Sequence, residues 1–186
     1  MKEAFPLIKT ERLLLRQFTD NDLENVFAGL SDANVIRYYG ISYKTLEDTK
    51  LQIKYFADLE QNDTGIWWAV CAANNQTFYG AIGLNNLMKQ HKKAEIGFWL
   101  LPDFWRTGIM SEAIPLVCDY GFSHFGLHRI EAIVETKNTN SKKIMAKMQF
   151  THEGTMKDAE IKNAEFISLD FMQNLISGHN HFVTSI

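Results

Sequence analysis

Glu95-Ile96-Gly97-Phe98-Trp99-Leu100-Leu101-Pro102-Asp103-Phe104-Trp105-Arg106-Thr107-Gly108-Ile109-Met110-Ser111-Glu112-Ala113 is the stretch on which the reading of this chain turns. An apolar strand with one carboxylate near its start runs into a short loop around Gly108, and the loop runs straight into a helix. That order presents a row of backbone N–H groups at a helix N-terminus, where a phosphate or pyrophosphate binds. Downstream, the β-rich run His128-Arg129-Ile130-Glu131-Ala132-Ile133-Val134-Glu135 is followed by Asn138-Thr139-Asn140-Ser141 and an amphipathic segment ending at Phe150. Either half matches many harmless loops; the two together are far more specific.

Outward from this stretch, residues 12–18 alternate and read as a first strand. Thr19 is placed to cap a helix to about Leu30, with Asp20 and Asp22 in its first turn. Thr45-x-x-Asp48 opens a second helix to about Gln61, with Ile53, Phe56 and Leu59 on its apolar face. Between them Val35-Ile36-Arg37-Tyr38-Tyr39-Gly40 is aromatic and irregular. Residues 66–72 and 77–84 read as a hairpin closed by Asn74-Asn75-Gln76. Strands follow at 94–101 and 129–136, with helices at 111–125 and 139–148. Pro115 implies that the first of these helices begins late or bends. A final hairpin, 150–157 with 166–173, carries a long polar connection. The order suits an α/β (α+β) domain: a mixed, mostly antiparallel sheet of about seven strands with helices on both faces. One domain over residues 1–174 is expected, followed by a tail of uncertain order at 175–186.

The bulk numbers agree. A chain of 186 residues and 21.4 kDa fits one domain and can bury roughly 70% of its unfolded surface. With 46% hydrophobic and 22% charged residues it is not disordered. A formal charge of −3 without a long basic block argues against nucleic-acid binding as the main activity. Cys71 and Cys118 sit in apolar runs and read as buried reduced thiols, and the six histidines show no ligand spacing, so no metal is expected. The start lacks the long apolar core of a signal peptide and no run approaches a membrane span, which makes the cytoplasm the default.

The paired motifs resemble the GNAT superfamily of acyl-CoA-dependent N-acetyltransferases, and within it the branch of the RimJ and RimL ribosomal-protein N-terminal acetyltransferases. The resemblance runs from Thr10-Glu11-Arg12-Leu13-Leu14-Leu15-Arg16 to about Asn174. The family's pyrophosphate loop, Gln/Arg-x-x-Gly-x-Gly/Ala, falls on Trp105, Arg106, Thr107, Gly108, Ile109 and Met110. Gly108 matches the central glycine; Arg106 departs from the branch's usual glycine, and Met110 replaces Gly/Ala. The resemblance implies acetyl-CoA as cosubstrate and no metal. It assigns the pyrophosphate to Arg106, Thr107, Gly108, Ile109, Met110 and Ser111, with Lys143 near the phosphates and Asn138 in contact with the cofactor. It also implies that the strand carrying Phe98, Trp99 and Leu100 splays from its neighbour and offers backbone groups to the pantetheine arm. Plain alternatives stand beside these. Arg106 and Lys143 are solvated cations, Asn138 is a turn residue, and the strand is ordinarily paired. The tyrosines of 35–40 either line an acceptor pocket, as in the family, or cover the core.

For catalysis the resemblance assigns Glu95 as a base, acting through water, against the alternative of a surface ion pair with Lys92 or Lys93. The superfamily's usual tyrosine acid falls on Met145, so Ser141, which matches a serine of this branch, is left to assist the departing thiol; alternatively it satisfies backbone donors at a helix start. The expected activity is acetyl transfer from acetyl-CoA to a primary amine. The acceptor is a protein N-terminus or a small amine such as an amino acid, polyamine or aminoglycoside. A non-catalytic acyl-CoA-binding sensor is the competing reading. Neither nucleic acid nor membrane is expected as a direct partner, and a homodimer is left open.

Overall fold

A computed structural model describes residues 4–176. In chain order the elements are β1 (Ile8–Lys9), β2 (Leu13–Arg16), α1 (Leu23–Ser31), α2 (Ala33–Ile36), α3 (Leu46–Gln61), β3 (Ile66–Ala72), β4 (Phe78–Met88), β5 (Lys93–Leu100), α4 (Ile109–His124), β6 (Arg129–Glu135), α5 (Thr139–Lys147), β7 (Thr151–Lys162) and β8 (Glu165–Leu175). The strands form one sheet in the order β1-β2-β3-β4-β5-β6-β8-β7. This is the single α/β domain with a mixed, mostly antiparallel sheet that the element order suits and the family resemblance implies. The strand beyond the expected seven is the two-residue β1.

Alternation along the strands divides the core in two. On one face Leu13, Leu15, Trp68, Val70, Ile82 and Leu84 pack with Ile114 and Val117 of α4. On the other, Trp67, Ala69, Ala81 and Trp99 pack with Val26 and Leu30 of α1 and Phe56 of α3. Six of the seven residues of β3 are buried because both of its faces are covered.

One pairing positions the site. β5 and β6 are parallel and meet only at Lys93↔Arg129, Ala94↔Ile130 and Glu95↔Glu131. Beyond Glu95 the two strands part, while β6 stays bonded to β8 as far as Glu135. The backbone of β5 from Ile96 onward therefore has one partner strand, β4; on the edge toward β6 no strand pairs with it, and the Leu100 carbonyl accepts from the Trp105 indole N–H at 2.9 Å.

Two local expectations are corrected. α4 begins at Ile109, earlier than expected, and Pro115 lies inside it rather than forcing a late start. The long polar connection before β8 is strand: β7 continues to Lys162, and only Asn163 and Ala164, both with positive φ, form the turn. β7 is exposed along most of its length, so no apolar alternation marked its continuation past residue 157. Of the expected tail, Leu175 closes β8 and residues 177–186 lie outside the described residues. Among the described residues no helix is long and apolar enough to cross a membrane.

Candidate active site

A cavity of about 700 Å³ opens where β5 and β6 part. Its wall draws Phe98, Trp99 and Leu100 from β5, Arg106 and Gly108 to Ser111 from the loop and first turn of α4, and Asn138, Ser141 and Lys143 from α5. Eleven of the thirteen residues expected at the site thus share one cavity; Thr107 and Glu95 are not on its wall. Arg37, Arg106, Lys143 and Lys147 also line it, and no aspartate or glutamate does. In a chain of net charge −3 that segregation marks an anion site.

The loop is built for anions by its backbone. Arg106 (φ 63°) and Gly108 (φ 86°) are both left-handed. α4 starts at once, and the N–H of Glu112, donating to the Gly108 carbonyl at 3.2 Å, precedes the regular helix ladder. The N–H groups of Ile109, Met110 and Ser111 therefore stand before that ladder at the positive end of the helix dipole. Met110, which replaces the family's small residue, sends its side chain into the core. Thr107 turns away: its hydroxyl donates to the Phe104 carbonyl at 2.7 Å. Arg12 holds the loop from behind, donating to the Thr107 carbonyl at 3.1 Å and pairing with Glu112 at 3.4 Å.

On the opposite wall Asn138 is the N-cap of α5, its Oδ1 accepting from the Ser141 N–H at 3.1 Å. The capping falls to Asn138, so the Ser141 hydroxyl is not needed for it. Met145 is fully buried in the core, with nothing to offer a thiol. Lys143 is exposed, whereas its neighbour Lys142 pairs with Asp170 at 3.0 Å.

Acetyl-CoA fits this wall. The N–H groups opening α4 and four cations match its phosphates, and the β5 edge that no strand covers beyond Glu95 matches its amide arm. The Trp99 indole N–H, on a cavity-lining residue, is buried without a hydrogen-bond partner. Among the described residues no group of three or more His, Cys, Asp or Glu could hold a metal.

Glu95 shares a strand face with Gly97, which packs on Trp67, and so points toward α3. Its carboxylate accepts from Asn86 Nδ2 at 2.9 Å. Lys93 pairs instead with Glu131, at 3.1 Å. Burial raises the Glu95 carboxyl above its ordinary value; the Asn86 bond opposes this, and the charges of Glu131 and Glu160 reinforce it. Tyr39, which lines the cavity, and Tyr55 of α3 lie within the field of Glu95, and burial raises both hydroxyls. Sequence reading missed Arg12, because the loop it grips is remote in sequence. It also missed Asn86, whose only signal was an asparagine able to take a left-handed conformation.

A sequence profile of the acetyltransferase (GNAT) domain matches residues 12–151. The chain is 41% identical over 160 residues to the uncharacterized N-acetyltransferase YoaA of Bacillus subtilis (strain 168), covering 86% of this chain and 90% of that protein. RimL, a ribosomal L7/L12 alpha-N-protein acetyltransferase solved with coenzyme A, superposes with a TM-score of 0.83 at 20% identity, over 92% of this chain and 98% of that chain. Spermidine N-acetyltransferase from Vibrio cholerae, solved with CoA and spermine, superposes with a TM-score of 0.79 at 19% identity, over 89% and 96%. At such identities these two structures speak for the fold alone.

Proposed function

The chain belongs to the GNAT acetyltransferase family, and on that premise we propose that it acetylates the α-amine of a peptide or protein N-terminus in the cytoplasm, with Glu95 as a water-relayed base and Ser141 beside the leaving thiol. That it is an acetyl-CoA-dependent N-acetyltransferase follows from the family. The observation that carries the reading is the cavity itself, with its four cations, its helix N-terminus and no carboxylate, set at the parting of β5 and β6.

Acetyl-CoA, when bound, supplies an acetyl group activated as a thioester. The chain's own residues supply the rest. Arg106, Lys143 and the N–H groups opening α4 hold the phosphates, and the β5 edge at Phe98, Trp99 and Leu100, where the Leu100 carbonyl already holds the Trp105 indole N–H, orients the amide arm. Glu95 takes the amine proton. Its raised carboxyl is a stronger base than an ordinary glutamate, which narrows the gap to the amine. A lysine side chain, near pKa 10.4, costs about 4.6 kcal/mol to deprotonate at pH 7, whereas an α-amine near 7.8 costs about 1.1. One water-relayed carboxylate suits the second. Buried, unbridged Cys71 and Cys118 suit a reducing compartment.

A small cationic amine is the second reading. The charges of Glu95 and Glu160 together, beside Tyr39 and Tyr55, would draw such a cation. Thiol release from acetyl-CoA separates the readings when peptides with free or blocked N-termini are run against polyamines, beside calorimetry of CoA binding. Turnover restricted to free α-amines is expected. Turnover on polyamines alone would transfer the assignment to the small-amine reading, and CoA binding without turnover on any amine would mark a sensor.

A further inference from the structure

We propose that Asn86 is a positioning residue of the reaction: from the bulge in β4 it grips one oxygen of the Glu95 carboxylate and aims the other at the amine or its relay water. The inference rests on the reading of Glu95 as the base.

The geometry is local. β4 and β5 run in register to Asn85↔Glu95, and pairing resumes at Met88↔Lys93, so Asn86 and Leu87 together oppose Ala94. The bulge turns Asn86 left-handed, with φ 52°, a conformation that asparagine tolerates better than most residues. Its side chain thereby reaches Glu95 Oε2 at 2.9 Å. An ionised carboxylate only accepts, so the amide must present Nδ2. Among the described residues this is the one hydrogen bond that the carboxylate makes.

The surroundings give the bond its importance. Across the strand on β6 lies Glu131, already paired with Lys93 and Arg129; from β7 comes Glu160; from α3 and the segment after α2 come Tyr55 and Tyr39. None of these is a cation paired to Glu95, and burial opposes its charge. Asn86 is the one neighbour that favours the ionised form.

Two substitutions isolate the donor. Asn86→Gly keeps the left-handed bulge and removes the amide. Asn86→Asp is nearly isosteric and sets a like charge against Glu95. The Glu95 carboxyl is titrated by carbon NMR, its signal identified by loss in Glu95→Gln. The acid limb of kcat/KM is measured with a short peptide bearing a free α-amine; the amine's own titration is common to all variants. In Asn86→Gly both midpoints should rise together by about one pH unit, with CoA affinity and Tm unchanged. In Asn86→Asp the two carboxyls titrate as a pair with a higher upper midpoint. A carboxyl midpoint unmoved in Asn86→Gly overturns the proposal and leaves the base assignment standing. A carboxyl that moves while the acid limb stays in place overturns both.

Discussion

Arg12 and Glu112 form an ion pair at 3.4 Å across the first turn of α4, and the same guanidinium donates to the Thr107 carbonyl at 3.1 Å. Thr10 completes the arrangement, its hydroxyl donating to Glu112 at 2.6 Å. A carboxylate in the first turn suits the helix dipole but competes with a phosphate for the same donors. Binding Glu112 from behind leaves those donors to the cavity and fixes the loop that carries them.

Arg12→Ala should therefore weaken CoA binding although Arg12 is not on the cavity wall. Losing the carbonyl bond and freeing Glu112 should raise Kd by about tenfold. Arg12 is largely exposed and its partner Glu112 half-buried, so the ion pair itself is solvent-screened and Tm should change little. Calorimetry at two salt concentrations checks it, with the larger effect at low salt.

Gly108→Val should damage the loop through conformation and not collision. A Cβ at Gly108 would meet only Arg12 Nη1, at 3.9 Å, but φ is +86°. A β-branched residue held there costs on the order of 1–3 kcal/mol, released by shifting the N–H groups off the phosphate. CoA affinity should fall by about tenfold or more in a protein that still folds. Unchanged affinity would mean that the pyrophosphate lies elsewhere.

Glu95→Gln should lower kcat by about 10²–10⁴-fold and leave CoA binding alone. The pH profile carries the sign. The carboxyl is raised, first by burial, so it holds its proton to higher pH than a free glutamate. Activity of the wild type should fall on acidification through that raised midpoint, and the limb should vanish in Glu95→Gln. Near-wild-type turnover of the variant at pH 7 would remove Glu95 from the chemistry.

What could be read beforehand was whatever local order carries. The run from Glu95 to Ala113 is strand, left-handed glycine and helix in sequence, so it was legible; the cap of α5 was not, since Ser141 offered itself for the role that Asn138 takes. The far half of β7 was not, because beyond residue 157 the strand is mostly exposed and lacks the alternation that betrays strands. Of the two outcomes Pro115 implied, the late start does not occur: α4 begins at Ile109 and packs on the sheet with the proline inside it. Arg12 behind Thr107 and Asn86 beside Glu95 depend on tertiary placement and a bulge, neither of which leaves a pattern in one sequence.

Ser141→Ala and Asn138→Ala should separate chemistry from folding on the same helix turn. Asn138 supplies the capping oxygen, and Ser141 receives that bond through its backbone N–H, which alanine keeps. Asn138→Ala should thus cost about 1 kcal/mol of stability, whereas Ser141→Ala should leave Tm in place. On the proposed reading Ser141, which lines the cavity, is the hydroxyl beside the thiol, and the buried Met145 cannot replace it. The effect on rate should still be modest. A thiol titrates near 8.5, so its thiolate leaves without a strong acid. Single-turnover rates should fall by about tenfold, the low end of what acid–base groups supply. An unaltered chemical step in a Ser141→Ala protein of unchanged Tm would assign proton delivery to water. A lowered Tm would instead mean that the hydroxyl shares the cap with Asn138.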